Sequence, residues 1–355
     1  MNKKVKTFYG VDSPCNAPSN NMYFTVHGYV SPCWKLPGMC DKWSEERSIR
    51  DIWFGDKFQM YRDALKKCNF LARCKECEKE IQNDVWPLAK AYQEYPVNEY
   101  PSLMELELSN QCNLECIMCS GELSSGIRKN REGLPPLPQI YTDKFVDEMR
   151  EFVPHLTELR FNGGEPFAQK IVLDICDMVA EVNPGLKINM ATNGTVYHKR
   201  AKKILSQNNV HINVSIDSLD HQRYSEIRIN GNLDDVFKNF EIYKQYCGED
   251  KELSVMVNPM RNNWFEMIDF VEFADKHQVN LWYNTILYPK QWAIWNLPSD
   301  QLKEIYEGLS DRLESYKRRP IRGKKSNIHV AEHLVYNQIK NWLLDSYVSS
   351  PSEEA

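Results

Sequence analysis

No run of 18 apolar residues occurs in this sequence, so no helix of the length a bilayer requires can be drawn. The opening Met1-Asn2-Lys3-Lys4-Val5-Lys6 carries the charge of a signal-peptide start but lacks the apolar core that should follow. Long basic runs are also missing: 49 acidic residues against 44 basic ones leave a net charge of −5. That balance offers no footprint for a phosphate backbone. These absences predict a cytoplasmic protein with neither membrane nor nucleic acid among its partners. No internal repeat and no low-complexity block is present. The eight histidines include no metal-binding doublet of the HExxH kind, which leaves them as surface or structural groups.

Cysteine, by contrast, is abundant, with 11 in 355 residues. Cys15, Cys33, Cys40, Cys68, Cys74 and Cys77 precede position 80, Cys112, Cys116 and Cys119 form a tight group, and Cys176 and Cys247 stand alone. Disulfides are disfavoured in a reducing cytosol. Clustered cysteines without a secretion signal read as metal ligands. Buried structural thiols account for Cys176 and Cys247 but not for recurrence at three- and four-residue spacing.

Residues 1–80 are rich in Cys, Trp, Gly and Pro, and their periodicity predicts only one helix, over Phe58–Lys67. Such a segment has little core and needs metal to hold it. Residues 81–100 read as a linker with one short helix, punctuated by Pro87, Pro96 and Pro101. Over residues 101–300 strands alternate with amphipathic helices. The predicted strands are Leu103–Leu108, Glu158–Phe161, Lys187–Ala191, His211–Ile216, Ser254–Asn258 and Asn280–Leu287. Helices are predicted near 142–152, 168–182, 197–207, 233–246 and 264–277. This alternation implies an α/β fold with a parallel sheet wrapped by helices. Six βα units suit a partial (β/α)6 TIM-type barrel, with its chemistry at the C-terminal ends of the strands. A helical extension over 301–348 and a tail over 349–355 complete the chain.

Directly after the first barrel strand comes Cys112-x3-Cys116-x2-Cys119. Three thiolates on one tight loop can hold three irons of a cubane cluster and leave the fourth open. A zinc site with a fourth ligand from elsewhere is the alternative. Phe161-Asn162-Gly163-Gly164-Glu165-Pro166 follows the second strand, where paired glycines allow close backbone approach. Ala191-Thr192-Asn193-Gly194-Thr195 follows the third strand, and Ser215-Ile216-Asp217-Ser218 closes the fourth. Taken alone, these last two segments read as a turn and a helix cap. Arg228 taken alone reads as a helix-surface ion pair.

Together these segments resemble the radical S-adenosylmethionine (SAM) superfamily over roughly residues 102–300. The resemblance implies that Cys112, Cys116 and Cys119 hold a 4Fe–4S cluster whose open iron binds SAM. It implies cofactor contacts from Gly163, Gly164, Glu165, Pro166, Thr192, Asn193, Ser215 and Asp217, with Arg228 on the cofactor carboxylate. One electron from a donor such as flavodoxin or ferredoxin would cleave SAM to methionine and a 5′-deoxyadenosyl radical, which takes a hydrogen atom from the substrate. The cofactors carry that chemistry, and the protein orients and shields it.

The N-terminal cysteines, Cys15-x12-Gly28-x4-Cys33 followed by Cys68-x5-Cys74-x2-Cys77, resemble the SPASM or Twitch auxiliary-cluster module, here preceding the barrel. The resemblance implies one auxiliary 4Fe–4S cluster on Cys15, Cys33, Cys74 and Cys77, with Cys68 and then Cys40 in reserve. A four-thiolate zinc site is again the alternative. The aromatic stretch Leu281-Trp282-Tyr283-Asn284, with Trp292 and Trp295, suits a substrate cleft or plain packing. The loop bearing Arg128, Arg131 and Tyr141 suits a lid or a mobile surface segment. The expected reaction is oxidative or crosslinking modification of a peptide. Dehydrogenation or epimerisation of a small metabolite or sugar is the first alternative, and a non-catalytic iron–sulfur electron carrier the second.

Overall fold

The computed structural model describes residues 13–36, 38, 40–71, 74–82, 88–319 and 326–349. The signal-like start at residues 1–6 and the tail beyond Ser349 lie outside them. The chain divides into two compact units. The first comprises residues 1–112, 135–190 and 198–210, and the second comprises 113–134, 191–197 and 211–355.

In the first unit the strands are β1 (Asn21–Phe24), β2 (Tyr29–Ser31), β3 (Asp41–Lys42), β4 (Leu103–Leu106), β5 (Glu158–Phe161) and β6 (Lys187–Thr192), in spatial order β3-β2-β1-β4-β5-β6. β4, β5 and β6 run parallel, as expected for βα units. β1 also joins β4 in parallel, with Tyr23 opposite Glu105 and Phe24 opposite Leu106. The cysteine-rich segment therefore extends the sheet, where the sequence predicts only loops and one helix. Strands of two to four residues are too short to show a period, and no long amphipathic helix among the described residues separates β1, β2 and β3 to mark them, which is why they are not legible.

The longest helices of this unit are α1 (Asp56–Lys66), α2 (Asp143–Phe152), α3 (Lys170–Val182) and α4 (Lys199–Gln207). Their buried faces follow the helical period: in α2, Phe145, Val146, Met149 and Phe152 are buried. Tyr141, expected on a lid, is instead core. Its ring stacks on Trp43 at 5.5 Å and its hydroxyl donates to the Thr25 carbonyl at 2.7 Å. A large aromatic gains more from burial than from covering a solvated loop, provided its hydroxyl finds an acceptor.

The second unit carries β7 (Asn209–Ser215), β8 (Leu253–Val257) and β9 (Asn280–Tyr283), parallel and in that order. The first two residues of β7 are counted with the first unit, and the last two of β6, Ala191 and Thr192, with the second. Its long helices are α5 (Leu233–Cys247), α6 (Met267–His277) and α7 (Ser299–Lys317). Asn232 caps α5 by accepting from the amides of Asp234 and Asp235. Beyond α7, Asn327 bonds α6 and β9: its Nδ2 donates to Asp275 Oδ1 at 2.8 Å and its Oδ1 accepts from the Leu281 amide at 2.9 Å. The rest of the expected extension is helical over Ile328–Ser349, with a π-helical stretch at His333–Ile339. Among the described residues no helix is long and apolar enough to cross a membrane.

If β1 is part of the core, Phe24→Ala should destabilise the protein by about 3–5 kcal/mol, as buried Phe truncations do. Phe24 is fully buried against Phe145 at 5.3 Å. The check is a lowered urea midpoint. An unchanged midpoint would mean that the N-terminal strands are an appendage.

Candidate active site

The three loop cysteines fall on both sides of the division, with Cys112 in the first unit and Cys116 and Cys119 in the second. In the first unit the glycine pair lies against the chain that leads into Cys112. Gly163 and Gly164 have φ of 74° and 56°, a region that favours glycine. A Cβ on Gly164 would stand 2.4 Å from Gln169 Nε2 and 2.5 Å from the Gln111 carbonyl oxygen. The close approach is thus to the protein's own backbone. Glu165 donates its amide to Gln111 O at 2.9 Å, while Gln169 Nε2 donates to Gly163 O at 2.9 Å and Ser109 O at 3.2 Å. Gln169, which the sequence does not single out, joins these two segments. Glu165 is fully buried and accepts from the Phe167 amide at 3.1 Å.

In the second unit Asn113, next to Cys112, bonds the segment after β6. Asn193 Nδ2 donates to Asn113 Oδ1 at 2.9 Å, and Asn113 Nδ2 donates to Thr195 Oγ1 at 2.8 Å. Asn193 Oδ1 accepts from the Thr195 amide at 2.9 Å, and Thr192 Oγ1 accepts from the Gly194 amide at 3.1 Å. The backbone of Glu115 and Ile117 donates to Ile229 and Ile227. Ile117 and Met118 pack on the cluster of Ile227, Met260, Ile286 and Ala293 that also receives Trp292 and Trp295. Those two tryptophans are therefore packing partners of the cysteine loop. Trp282 is exposed.

Arg228 differs from its surface-pair reading. It is buried, as is its partner Asp217, at 2.7 Å. Its Nη1 also points at Cys116 Sγ, 3.9 Å away. Asp217 further accepts from the Asn258 amide at 2.7 Å. Burial raises the Cys116 thiol pKa, and the Arg228 charge opposes that rise. A guanidinium aimed at sulfur favours the thiolate, the form that binds iron. Burial also pushes Cys119 up, to about 11. Ser215 ends β7, half-buried. Asp220, not Ser218, caps the following helix, accepting from the Arg223 amide at 2.8 Å, while Ser218 Oγ donates to Glu266 Oε1 at 2.8 Å.

The auxiliary set is brought together within the first unit. Cys15, Cys33, Cys74 and Cys77 line one cavity with Leu36, Leu65, Phe70, Ala89, Lys35 and Tyr92. It holds about 370 Å³ of atom-free space, part of it open to solvent. Burial raises all four thiols, Cys15 to about 12 and Cys74 to about 11. Lys35, paired with Glu80 at 2.7 Å, pulls Cys77 the other way. Cys68 packs on the adjoining cluster of Leu65, Phe70 and Ile81 but does not line the cavity. Cys40 stands elsewhere, beside Asp41, Lys57 and Arg62. No disulfide links any two cysteines among the described residues. Nor do three of His, Cys, Asp and Glu stand there as a single metal ion would require. What the four cysteines share is the wall of one cavity, and that donor set is the soft one iron–sulfur clusters take.

One polar row went unread in the sequence. Met22, Phe24, Met104, Leu106, Leu159, Phe161, Ile188 and Met190 are all buried and alternate with polar positions along their strands. The opposite face carries Tyr23, Glu105, Arg160 and Asn189 in register, flanked by Glu107, Glu158 and Lys187. Arg160 Nε donates to Glu158 Oε1 at 2.6 Å, and its Nη1 lies 3.5 Å from Glu105. Lys187 lies 3.7 Å from Glu158. Burial raises the Glu107 carboxyl pKa, opposed by a hydrogen bond from Tyr23. Parallel strands covered on both faces read as continuous apolar runs. Charges at Glu105 and Glu107, in and just after β4 and two apart, were the available signal that one face meets something polar.

The sequence profile of the radical SAM superfamily matches residues 106–289, and that of an iron–sulfur cluster-binding domain, SPASM, matches residues 15–78. Among curated proteins the chain is similar to the GTP 3′,8-cyclase of Limosilactobacillus fermentum, 25% identical over 55% of this chain and 56% of that enzyme. The GTP 3′,8-cyclase of Thermodesulfovibrio yellowstonii is 26% identical over 68% of this chain and 72% of that one. Among solved structures, anSMEcpe with bound AdoMet aligns with a TM-score of 0.46 and 19% identity, covering 61% of this chain and 58% of that one. The chain thus spans little more than half the length of the first of these cyclases. Relatives named for cyclisation of a nucleotide overturn the expectation of oxidative or crosslinking chemistry on a peptide. The expected cofactors stand: a 4Fe–4S cluster, SAM and an auxiliary cluster. With the superfamily profile matched over just over half of its length, on the segment that bears the three-cysteine loop, this chain is an enzyme of the radical SAM superfamily.

Proposed function

We propose that this enzyme acts on a nucleotide-type small molecule, in keeping with the nucleotide cyclases it resembles. The observation that carries the reading is the polar row on the sheet. Glu105, Arg160 and Asn189 sit side by side on β4, β5 and β6. Ribose hydroxyls and base N–H and carbonyl groups match such alternating acceptors and donors.

In this reading Cys112, Cys116 and Cys119 hold the cluster that keeps an iron open, and Arg228 and Asp217 orient Cys116. Asn113, Asn193 and Thr195 fix the loop against the end of β6. Gly163 to Pro166, Thr192 and Ser215 supply backbone and hydroxyl contacts for SAM. When bound, SAM and its cluster supply a 5′-deoxyadenosyl radical that takes a hydrogen atom from the substrate. An electron-transfer protein of the flavodoxin or ferredoxin type serves as donor. Cys15, Cys33, Cys74 and Cys77 ligate all four irons of the auxiliary cluster, so that cluster stores or passes an electron and does not bind substrate.

Three outcomes follow. In anaerobic assays of the reconstituted full chain with dithionite and SAM, adding GTP should raise 5′-deoxyadenosine formation well above the substrate-free rate. Formation indifferent to GTP and to the other nucleoside triphosphates would remove the nucleotide reading. Cys116→Ala should reduce SAM cleavage to background, whereas Cys74→Ala should retain uncoupled cleavage and lose substrate turnover. Equal, complete loss of cleavage in a folded Cys74→Ala protein would contradict this division. Gly164→Ala should displace the Ser109–Gln111 backbone and lower SAM affinity at least tenfold, about 1.4 kcal/mol, read by equilibrium binding to the reconstituted protein. Unchanged binding would show that the close approach at Gly164 does not shape the site.

A further inference from the structure

Tyr92 stands in two places at once. Its ring helps to line the cavity of Cys15, Cys33, Cys74 and Cys77. Its hydroxyl donates to Glu105 Oε2 at 2.9 Å, at the start of the polar row. The same oxygen accepts from Asn21 Nδ2 at 2.8 Å. Glu105 and Tyr92 are both buried. Apart from Tyr92 and the cysteines, Lys35 is the polar side chain among the lining residues, and Glu80 balances its charge at 2.7 Å. The other lining residues are apolar.

Charge beside such a cavity is weakly screened. The potential of an iron–sulfur cluster responds to nearby charge, hydrogen bonds and burial. The carboxylates of Glu105 and Glu158 are matched by Arg160, 3.5 Å and 2.6 Å away, and by Lys187, 3.7 Å from Glu158. With Glu107 beside Glu105, the row sets three carboxyl groups against two cations, and removing the Glu105 carboxylate makes it one charge more positive.

We propose that Tyr92 and Glu105 are positioning residues for the auxiliary cluster, a hydrogen-bonded bridge through which the polar row sets that cluster's reduction potential. The inference rests on the assignment of Cys15, Cys33, Cys74 and Cys77 as its ligands. Glu105 disfavours the added electron, and the Tyr92 hydroxyl screens Glu105. The two groups therefore act in opposite directions. Loss of the carboxylate raises the potential, and loss of the hydroxyl lowers it.

The test is potentiometric titration followed by electron paramagnetic resonance on the reconstituted full chain, comparing wild type, Glu105→Gln and Tyr92→Phe. Wild type should show two cluster signals, one of which Cys77→Ala removes. Glu105→Gln should shift that signal's midpoint upward and Tyr92→Phe shift it downward, with the SAM-cluster midpoint fixed in both. A wild type with one cluster and iron for only one would defeat the ligand assignment, and the bridge with it. Two clusters with unmoved midpoints would defeat the bridge alone. Upward shifts in both variants would mean that the substitutions merely admit water, and would also defeat it. Should Glu105→Gln fail to load its auxiliary cluster, Tyr92→Phe, which keeps the ring, decides: a downward shift sustains the bridge, and an unmoved or upward one overturns it.

Discussion

Charge inside a sheet has to be matched where it lies, and in the first unit that matching runs across the strands. Glu105, Arg160, Glu158 and Lys187 come from three adjacent strands and compensate one another. An unpaired ion at this depth would cost several kcal/mol. The register of β4, β5 and β6 is therefore fixed twice, by the apolar face packed beneath helices and by ion pairs on the other. A slip of one residue would turn the charges toward the helices and the apolar side chains onto the polar face. The loops that follow these strands, with their cysteines and glycines, inherit their positions from that register.

The loop segments are held by short polar connections in addition to the apolar packing of Ile117 and Met118. Gln169 and the Glu165 amide join the glycine pair to the chain before Cys112. Asn113, Asn193 and Thr195 form a second set of bonds in the other unit, and Arg228 with Asp217 a third. Side chains already engaged in this way lose little further freedom when a ligand arrives, which is the physical content of preorganisation. The N-terminal cavity is built on the opposite plan. Its cysteines stand among leucine, phenylalanine and alanine, where burial disfavours the thiolate and metal binding has to displace the protons.

The barrel strands were legible because amphipathic helices long enough to show a period alternate with them. Glu158–Phe161 is found where expected, and the other five predicted strands shift by one to four residues at their ends. β1 to β3 were not legible, since no helix among the described residues stands between them to mark them out. The lid reading of Tyr141 failed because nothing local to a tyrosine says whether a core waits for it. The reading of Arg228 as a surface pair failed for the same reason, since Asp217 lies eleven positions away and on another element.

Sequence alone determined what depends on covalent spacing. Cys112, Cys116 and Cys119 must lie on one loop, the glycine pair must follow a strand, and an alternating pattern must divide a strand into two faces. Tertiary structure decided what depends on which distant segments meet. It gathered Cys15, Cys33, Cys74 and Cys77 around one cavity and left Cys68 and Cys40 outside it. It also set Tyr92 between that cavity and Glu105. Spacing along a chain limits how far apart two groups can be, but only the packing of strands and helices settles which of the reachable neighbours a side chain touches.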